Sequence, residues 1–231
     1  MKGRIATTPG LALSTRPHRE TDRICSIYTL DFGKVPVRFV GVNRPAAKLR
    51  SLAEPLVHGE YRLHAREGSE FATATGGSLV TTFPELRSGL GGLLRGLEVC
   101  ELLDRLTPFW NPVPEEYRLA VDCLGAMSSL AAGASPPSNV SSSLSSSFSW
   151  CISAFGLRLL KAAGFGVHAR KVSEPNRLLW DLLHTAAFPD ILALPPDPHL
   201  QRRLELFVRR SVERLTQQPL RCAQVADTLA G

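Results

Sequence analysis

The chain has 231 residues, enough for one large domain or two modest ones. Apolar residues make up 44% of it, which excludes wholesale disorder. Lys and Arg outnumber Asp and Glu by 27 to 21, a net charge of +6 with a pI near 9.4, and this favours polyanionic partners, either nucleic acid or an anionic membrane surface.

Before Phe83-Pro84 the chain is rich in β-branched and aromatic residues broken by Gly and Pro, and five strands are expected, at 9–15, 23–32, 34–42, 56–66 and 69–81. The third alternates: Val35, Val37 and Phe39 point one way, and Lys34, Pro36 and Arg38 the other. In the fourth, Val57, Gly59, Tyr61, Leu63 and Ala65 share a face, with His58, Glu60, Arg62, His64 and Arg66 opposite. Five short strands too close for crossover helices imply a small closed barrel or sandwich, domain 1–82 of an α+β protein.

From residue 83 to 231 the period lengthens to that of helices. One is expected over 84–106, with Leu86, Leu90, Leu93, Leu97 and Cys100 inward and four glycines that each cost about 1 kcal/mol. Another covers 114–132, opened by Pro114 with Glu115 and Glu116 behind it. The Ser/Pro-rich stretch 133–147 reads as a mobile loop. Helices resume at 148–164 and 175–187. Pro189, Pro195, Pro196 and Pro198 form a stiff link to the last helix, 199–216. In that helix Leu200, Leu204, Phe207, Val208, Ser211 and Leu215 form the expected buried stripe, with Arg202 and Arg209 opposite and Arg203, Arg210 and Arg214 on a flank.

Chemistry-bearing patterns are scarce. No phosphate-cradling G-x-x-x-x-G-K-[ST] loop, H-E-x-x-H pair or G-x-S-x-G elbow occurs. The five cysteines are scattered with no C-x-x-C pair, as expected of buried free thiols in a reducing compartment, and the six histidines are dispersed. No catalytic residue, cofactor or metal is expected. The opening residues lack the apolar stretch of a secretory signal. The longest uncharged stretch, Cys123 to Leu157, holds 12 serines with Pro136 and Pro137, so it cannot span a membrane. A soluble cytoplasmic protein is the expectation.

The strongest local feature runs from Arg16 to Arg50. Eight cations (Arg16, Arg19, Arg23, Lys34, Arg38, Arg44, Lys48, Arg50) stand against Glu20, Asp22 and Asp31, a net +5 in 35 residues. Clustered cations release condensed counterions from phosphates, and the interleaved Tyr28, Phe32 and Phe39 are residue types that stack on bases. The bland reading is a solvated face over a core that takes the aromatics. Three readings remain open on the residues alone: a nucleic-acid binder, a small hydrolase or transferase assembled from distant residues, and a structural adaptor.

Arg16-Pro17-His18-Arg19-Glu20-Thr21-Asp22-Arg23-Ile24, with Phe32-Gly33-Lys34 after it, resembles the E-T-D-R and G-K elements that open RecO proteins. The stretch from Gly41 through Arg44, Lys48-Leu49, Leu52 and Pro55 is similar to that family's G-x-x-R-x-x-x-K-L...L-x-P loop. Glu101–Pro108 resembles its first-helix ending, and Leu157–Phe165 its L-R-L-L-x-x-x-G-F helix. Gly166 to Arg177 contains no cysteine, where many members carry paired C-x-x-C, so no zinc is expected.

The resemblance implies an OB-type barrel followed by a helical domain in a non-enzymatic, nucleoid-associated mediator of recombinational DNA repair. Such a protein binds single- and double-stranded DNA, works on strands coated by single-strand-binding protein, anneals complementary strands and cooperates with RecR to load RecA filaments. The expected DNA contacts are Lys34 and Arg38 on the outward barrel face, Arg44, Lys48 and Arg50 on a mobile loop beyond it, and Arg16 and Arg19 at its border. Two places in the helical domain pair cations with apolar side chains and could take the acidic, apolar-ended tail of single-strand-binding protein: Arg158 and Lys161 beside Phe155 and Leu159, and the Arg203/Arg210 flank. A second DNA contact through Arg203, Arg210 and Arg214 is the other expectation for the last helix.

Overall fold

A computed structural model describes residues 5–66, 69–133, 141–166, 174–222 and 224–225. The chain divides into two compact units: Met1–Phe83 with Thr107–Val121, and Pro84–Leu106 with Asp122–Gly231.

The five expected strands form: β1 Ile5–His18, β2 Asp22–Thr29, β3 Gly33–Phe39, β4 Val57–Ala65 and β5 Ala72–Thr81. They close into a barrel in the order β1-β2-β3-β5-β4, the connectivity of an OB-type fold. β1 makes closure possible because it is long: Ile5 to Ala12 pair with β4, and Gly10 to His18 pair with β2. A register slip between Ala12 and Ser14 marks a bulge, the device that bends one strand across two sides of a barrel. β3 and β5 complete the ring in parallel through Val37 with Ala72 and Arg38 with Thr73.

The alternations read from sequence hold. Val35, Val37, Phe39, Val57, Tyr61, Leu63 and Ala65 all lie in the buried barrel core with Ala12, Cys25 and Ile27, each large side chain contributing about 1.5–3 kcal/mol by burial. Val42, Leu52 and Ala53, from the β3–β4 connection, plug the core. Residues 109–117 lie over the outer face of the sheet. Trp110 N–H donates to the Lys34 carbonyl (2.8 Å), Tyr28 Oη donates to Glu116 Oε2 (2.5 Å), and His58 Nε2 meets Tyr117 Oη (2.6 Å). Gly33 lets this segment approach. Its φ is +67°, and a Cβ there would collide with the backbone of Asn111.

The second unit is helical: α1 Pro84–Arg87, α2 Leu90–Leu106, the later part of α3 Pro114–Gly133, α4 Ser141–Ala162, α5 Glu174–Thr185, α6 Phe188–Leu192 and α7 Pro198–Thr216. α4 is the centre, uncharged until Arg158 and buried from Phe148 through Leu157. Gly156 permits the close crossing of α4 with α7, since a Cβ there would strike Val208.

Four expectations for this unit need correction. The single helix 84–106 breaks at Ser88-Gly89, where Ser88 Oγ donates to the Glu85 carbonyl (2.7 Å) and glycines weaken the turn that follows. The loop assigned to 133–147 ends earlier, because α4 already begins at Ser141. Its serines find partners on α7: Ser146 Oγ donates to Gln201 Oε1 (3.0 Å) and Ser149 Oγ to Glu205 Oε1 (2.6 Å). Residues 134–140 of that stretch lie outside the described residues. The proline link is partly helical, with Pro189 inside α6. Of the expected stripe in α7 Val208 is buried, but Gln201 and Val212 complete the buried face, and Phe207 and Leu215 are more than one-third exposed. A polar side chain with partners on α4 displaced the apolar stripe from the inside.

Among the described residues, no helix is long and apolar enough to cross a membrane, and no group of three His, Cys, Asp or Glu could hold a metal ion. Much of the shortened segment 166–177 lies outside the described residues.

Candidate nucleic-acid interface

The β1–β2 turn, the β3–β4 connection and the β4–β5 loop meet at one end of the barrel. Strand pairing requires this: His18 pairs with Asp22, Arg23 with Phe39, and Ala65 with Ala72. His18 and Phe71 touch across the gap, ring centroids 6.1 Å apart. The turn at the end of β1 is tight enough to place Arg19 in the left-handed region (φ 56°), a conformation that costs a non-glycine residue about 1–2 kcal/mol.

Asp22 organises this end. Its buried carboxylate accepts Gly41 N–H (2.8 Å), Thr21 Oγ1 (3.3 Å) and both Arg38 Nε (2.9 Å) and Arg38 Nη2 (2.6 Å). The hydrogen bond from Gly41, with help from Arg38, outweighs burial and holds the carboxyl below its ordinary range. Asn43 N–H donates to the Thr21 carbonyl (2.9 Å), and Arg23 bonds both Asn43 Oδ1 (2.8 Å) and Glu54. Arg50 donates to the carbonyls of Val42 (3.3 Å), Asn43 (2.9 Å) and Arg44 (3.0 Å). A chain of one-turn bonds (Arg44 to Gly41, Ala47 to Arg44, Arg50 to Ala47) fixes the rest. The β3–β4 connection, expected to be a mobile loop, is therefore stitched to the β1–β2 turn by side chains its sequence pattern did not reveal.

The seven expected contact residues fall into three groups. Arg16, Arg19, Arg44 and Lys48 are exposed, and among the described residues none of them forms an ion pair. Arg50 is exposed as well, with its guanidinium partly used in holding the loop. Arg38 is half-buried on Asp22, so it positions the turn and offers little free charge. Lys34 corrects the expectation of an outward, solvent-facing cation. It does point off the barrel, but residues 109–117 cover it, leaving it 5% exposed with its Nζ 4.3 Å from the Phe109 ring centroid.

The interleaved aromatics are likewise engaged. Phe39 is in the core, Phe32 packs against it, and Tyr28 is buried on Glu116. Burial, with the carboxylate of Glu116 next in effect, pushes the Tyr28 phenol far above its usual range.

Two cations outside the run were passed over as contacts. Arg62 on β4 and Arg66 just beyond its end are exposed and alternate with buried Leu63 and Ala65; Thr7 and Gly76 flank Arg62. Their alternation was visible in the sequence, but a search for contiguous charge favours residues 16–50. Among the described residues, Glu20, Asp31, Glu60 and Glu70 are the exposed acids of the barrel, and Glu54 is occupied by Arg23. With Asp22 and Glu54 both spent on arginines, the loop end presents a net positive, pre-organised surface suited to anion contact.

The expected tail receptor around Arg158 is also corrected. Phe155 and Leu159 are fully buried, and Arg158 donates to the carbonyls of Leu183 (2.8 Å) and Ala186 (2.5 Å) while stacking on Phe188. It caps the end of α5 and is not open to a peptide.

A five-stranded closed barrel with its cations gathered on the loops of one end defines an OB-fold protein. Residues 1–83 match the family described as Recombination protein O N terminal. The DNA repair protein RecO of Geobacter sulfurreducens is 33% identical over 126 residues, 54% of this chain and 50% of that protein. RecO of Geobacter metallireducens is 34% identical over 113 residues, covering 48% and 45% of the two chains. RecO of Heliobacterium modesticaldum is 30% identical over 105 residues, covering 46% and 38%. The chain spans about half the length, or less, of the curated relatives it matches.

Proposed function

We propose that this protein is a non-enzymatic, DNA-binding recombination mediator acting in bacterial DNA repair. It holds single- and double-stranded DNA by backbone phosphates at the loop end of the barrel, through Arg16, Arg19, Arg44, Lys48 and Arg50, with Arg38 as a positioning residue. The observation that carries this reading is the separation of roles within one basic run: Arg23 and Arg38 consume Glu54 and Asp22, and five other cations, Arg16, Arg19, Arg44, Lys48 and Arg50, stay exposed on a hydrogen-bonded frame. Backbone contacts neutralise repulsion without reading sequence, which leaves bases free to pair, as annealing requires. On this reading the protein works in the cytoplasm at the nucleoid, on DNA coated by single-strand-binding protein, and with RecR helps to load RecA filaments. No covalent chemistry is needed.

Fluorescence anisotropy on oligonucleotides of unrelated sequence tests the contact. Arg44→Ser with Lys48→Ser should weaken binding equally for all sequences and make log K against log salt shallower by about 1.4–1.8. An unchanged slope in a folded variant removes the loop end as the site. Annealing of complementary oligonucleotides, with and without single-strand-binding protein, tests the mediator role.

A further inference from the structure

α7 exposes a charge pattern that the barrel reading does not use. Its two acids both face partners. Glu205 pairs with Arg95 (2.7 Å) and accepts Ser149 Oγ, and Glu213 pairs with Arg209 (3.1 Å) and accepts Leu220 N–H (3.1 Å). Arg202, Arg203, Arg210 and Arg214 are exposed, and among the described residues none of the four forms an ion pair.

At 3.6 residues per turn, Arg203, Phe207, Arg210 and Arg214 fall within about 60° of one another, opposite the buried Gln201, Val208 and Val212. Phe207, on the face opposite the buried Gln201, is 36% exposed and shares that face with three arginines. From Arg203 to Arg214 the stripe is roughly 16 Å long. That spans about five phosphates of a stacked strand at ~3.4 Å each.

We propose that this face of α7 is a second contact for single-stranded nucleic acid: the three arginines neutralise phosphates and Phe207 stacks on a base. The inference rests on the DNA-binding reading above and adds to it. A backbone contact on each unit gives the chain a second place to hold a strand besides the barrel. An exposed phenyl ring amid arginines favours a single strand over a duplex, whose bases are already stacked.

Titrations of the full chain with oligothymidylate and with a duplex decide it. Replacing Arg203, Arg210 and Arg214 with Ser together should make the single-strand salt slope shallower by about 2. Phe207→Leu, which keeps an apolar side chain on the helix, should weaken single-strand binding about tenfold and leave duplex affinity unchanged. If both variants match the parent, α7 is not a contact. The barrel reading then stands or falls separately on Arg44→Ser/Lys48→Ser. Loss of DNA binding in the α7 variants with none in the barrel variant supports this inference and refutes the barrel site. Failure of the parent to bind DNA at low salt refutes both. A triple variant that binds DNA like the parent, yet no longer binds an acidic peptide with an apolar end, assigns the face to a protein partner and overturns the proposal.

Discussion

Asp22→Ala should uncouple the two loops that carry the exposed cations. The substitution removes a buried carboxylate that accepts two hydrogen bonds from Arg38 and one from Gly41 N–H. Hydrogen bonds to charged groups are worth about 1.5–3 kcal/mol net, and breaking one side of a buried ion pair costs about 3–5 kcal/mol. Arg38 retains 28% side-chain exposure, so water recovers part of that loss. The expected destabilisation is about 2–3 kcal/mol, a fall in Tm of roughly 4–12 °C for a protein of this size.

Calorimetry of parent, Asp22→Ala, Arg38→Ala and the double variant gives the coupling, expected at about 1 kcal/mol or more. The sign with pH is fixed. The Asp22 carboxyl binds its proton more weakly folded than unfolded, so its stabilisation is complete above the ordinary value of 3.8 and is lost as pH falls through the lower folded value. A loss below about 0.5 kcal/mol, or a difference between parent and variant that persists undiminished in strong acid, refutes the ion-pair reasoning.

Lys34→Met should leave the DNA salt slope unchanged, because Lys34 is covered by residues 109–117; a slope shallower by about 0.7 or more would mean that it reaches phosphate. Gly33→Ala should cost at least about 2 kcal/mol, since strain at positive φ adds to the collision with Asn111, and urea titration measures it. His58 is half-buried against Tyr117, and that burial lowers its pKa from the ordinary 6.5. Its NMR titration midpoint should therefore lie below 6.5, and its contribution to stability should decline as pH falls from 6.5 through that midpoint. The buried Cys25 thiol, pushed up to about 11 chiefly by burial, should resist alkylation at pH 8 until the barrel unfolds, which a time course in urea would show.

The sequence by itself determined the strands and the core of the barrel. A strand's period is two and one face must be dry, so Val57 to Ala65 and Val35 to Phe39 declared their inward residues without reference to any neighbour. It also determined where positive charge is concentrated, and residues 1–83 carry the match to the Recombination protein O N terminal family. Only the tertiary structure decided which cations remain available, because pairing and cover depend on residues distant in the chain. Lys34 is hidden by Phe109, Arg38 is spent on Asp22, Arg23 on Glu54, and Arg158 on the end of α5. The same holds for α7. Periodicity named an apolar stripe, but Gln201 has hydrogen-bond partners on α4, and satisfying that buried amide turned Phe207 outward into the arginines.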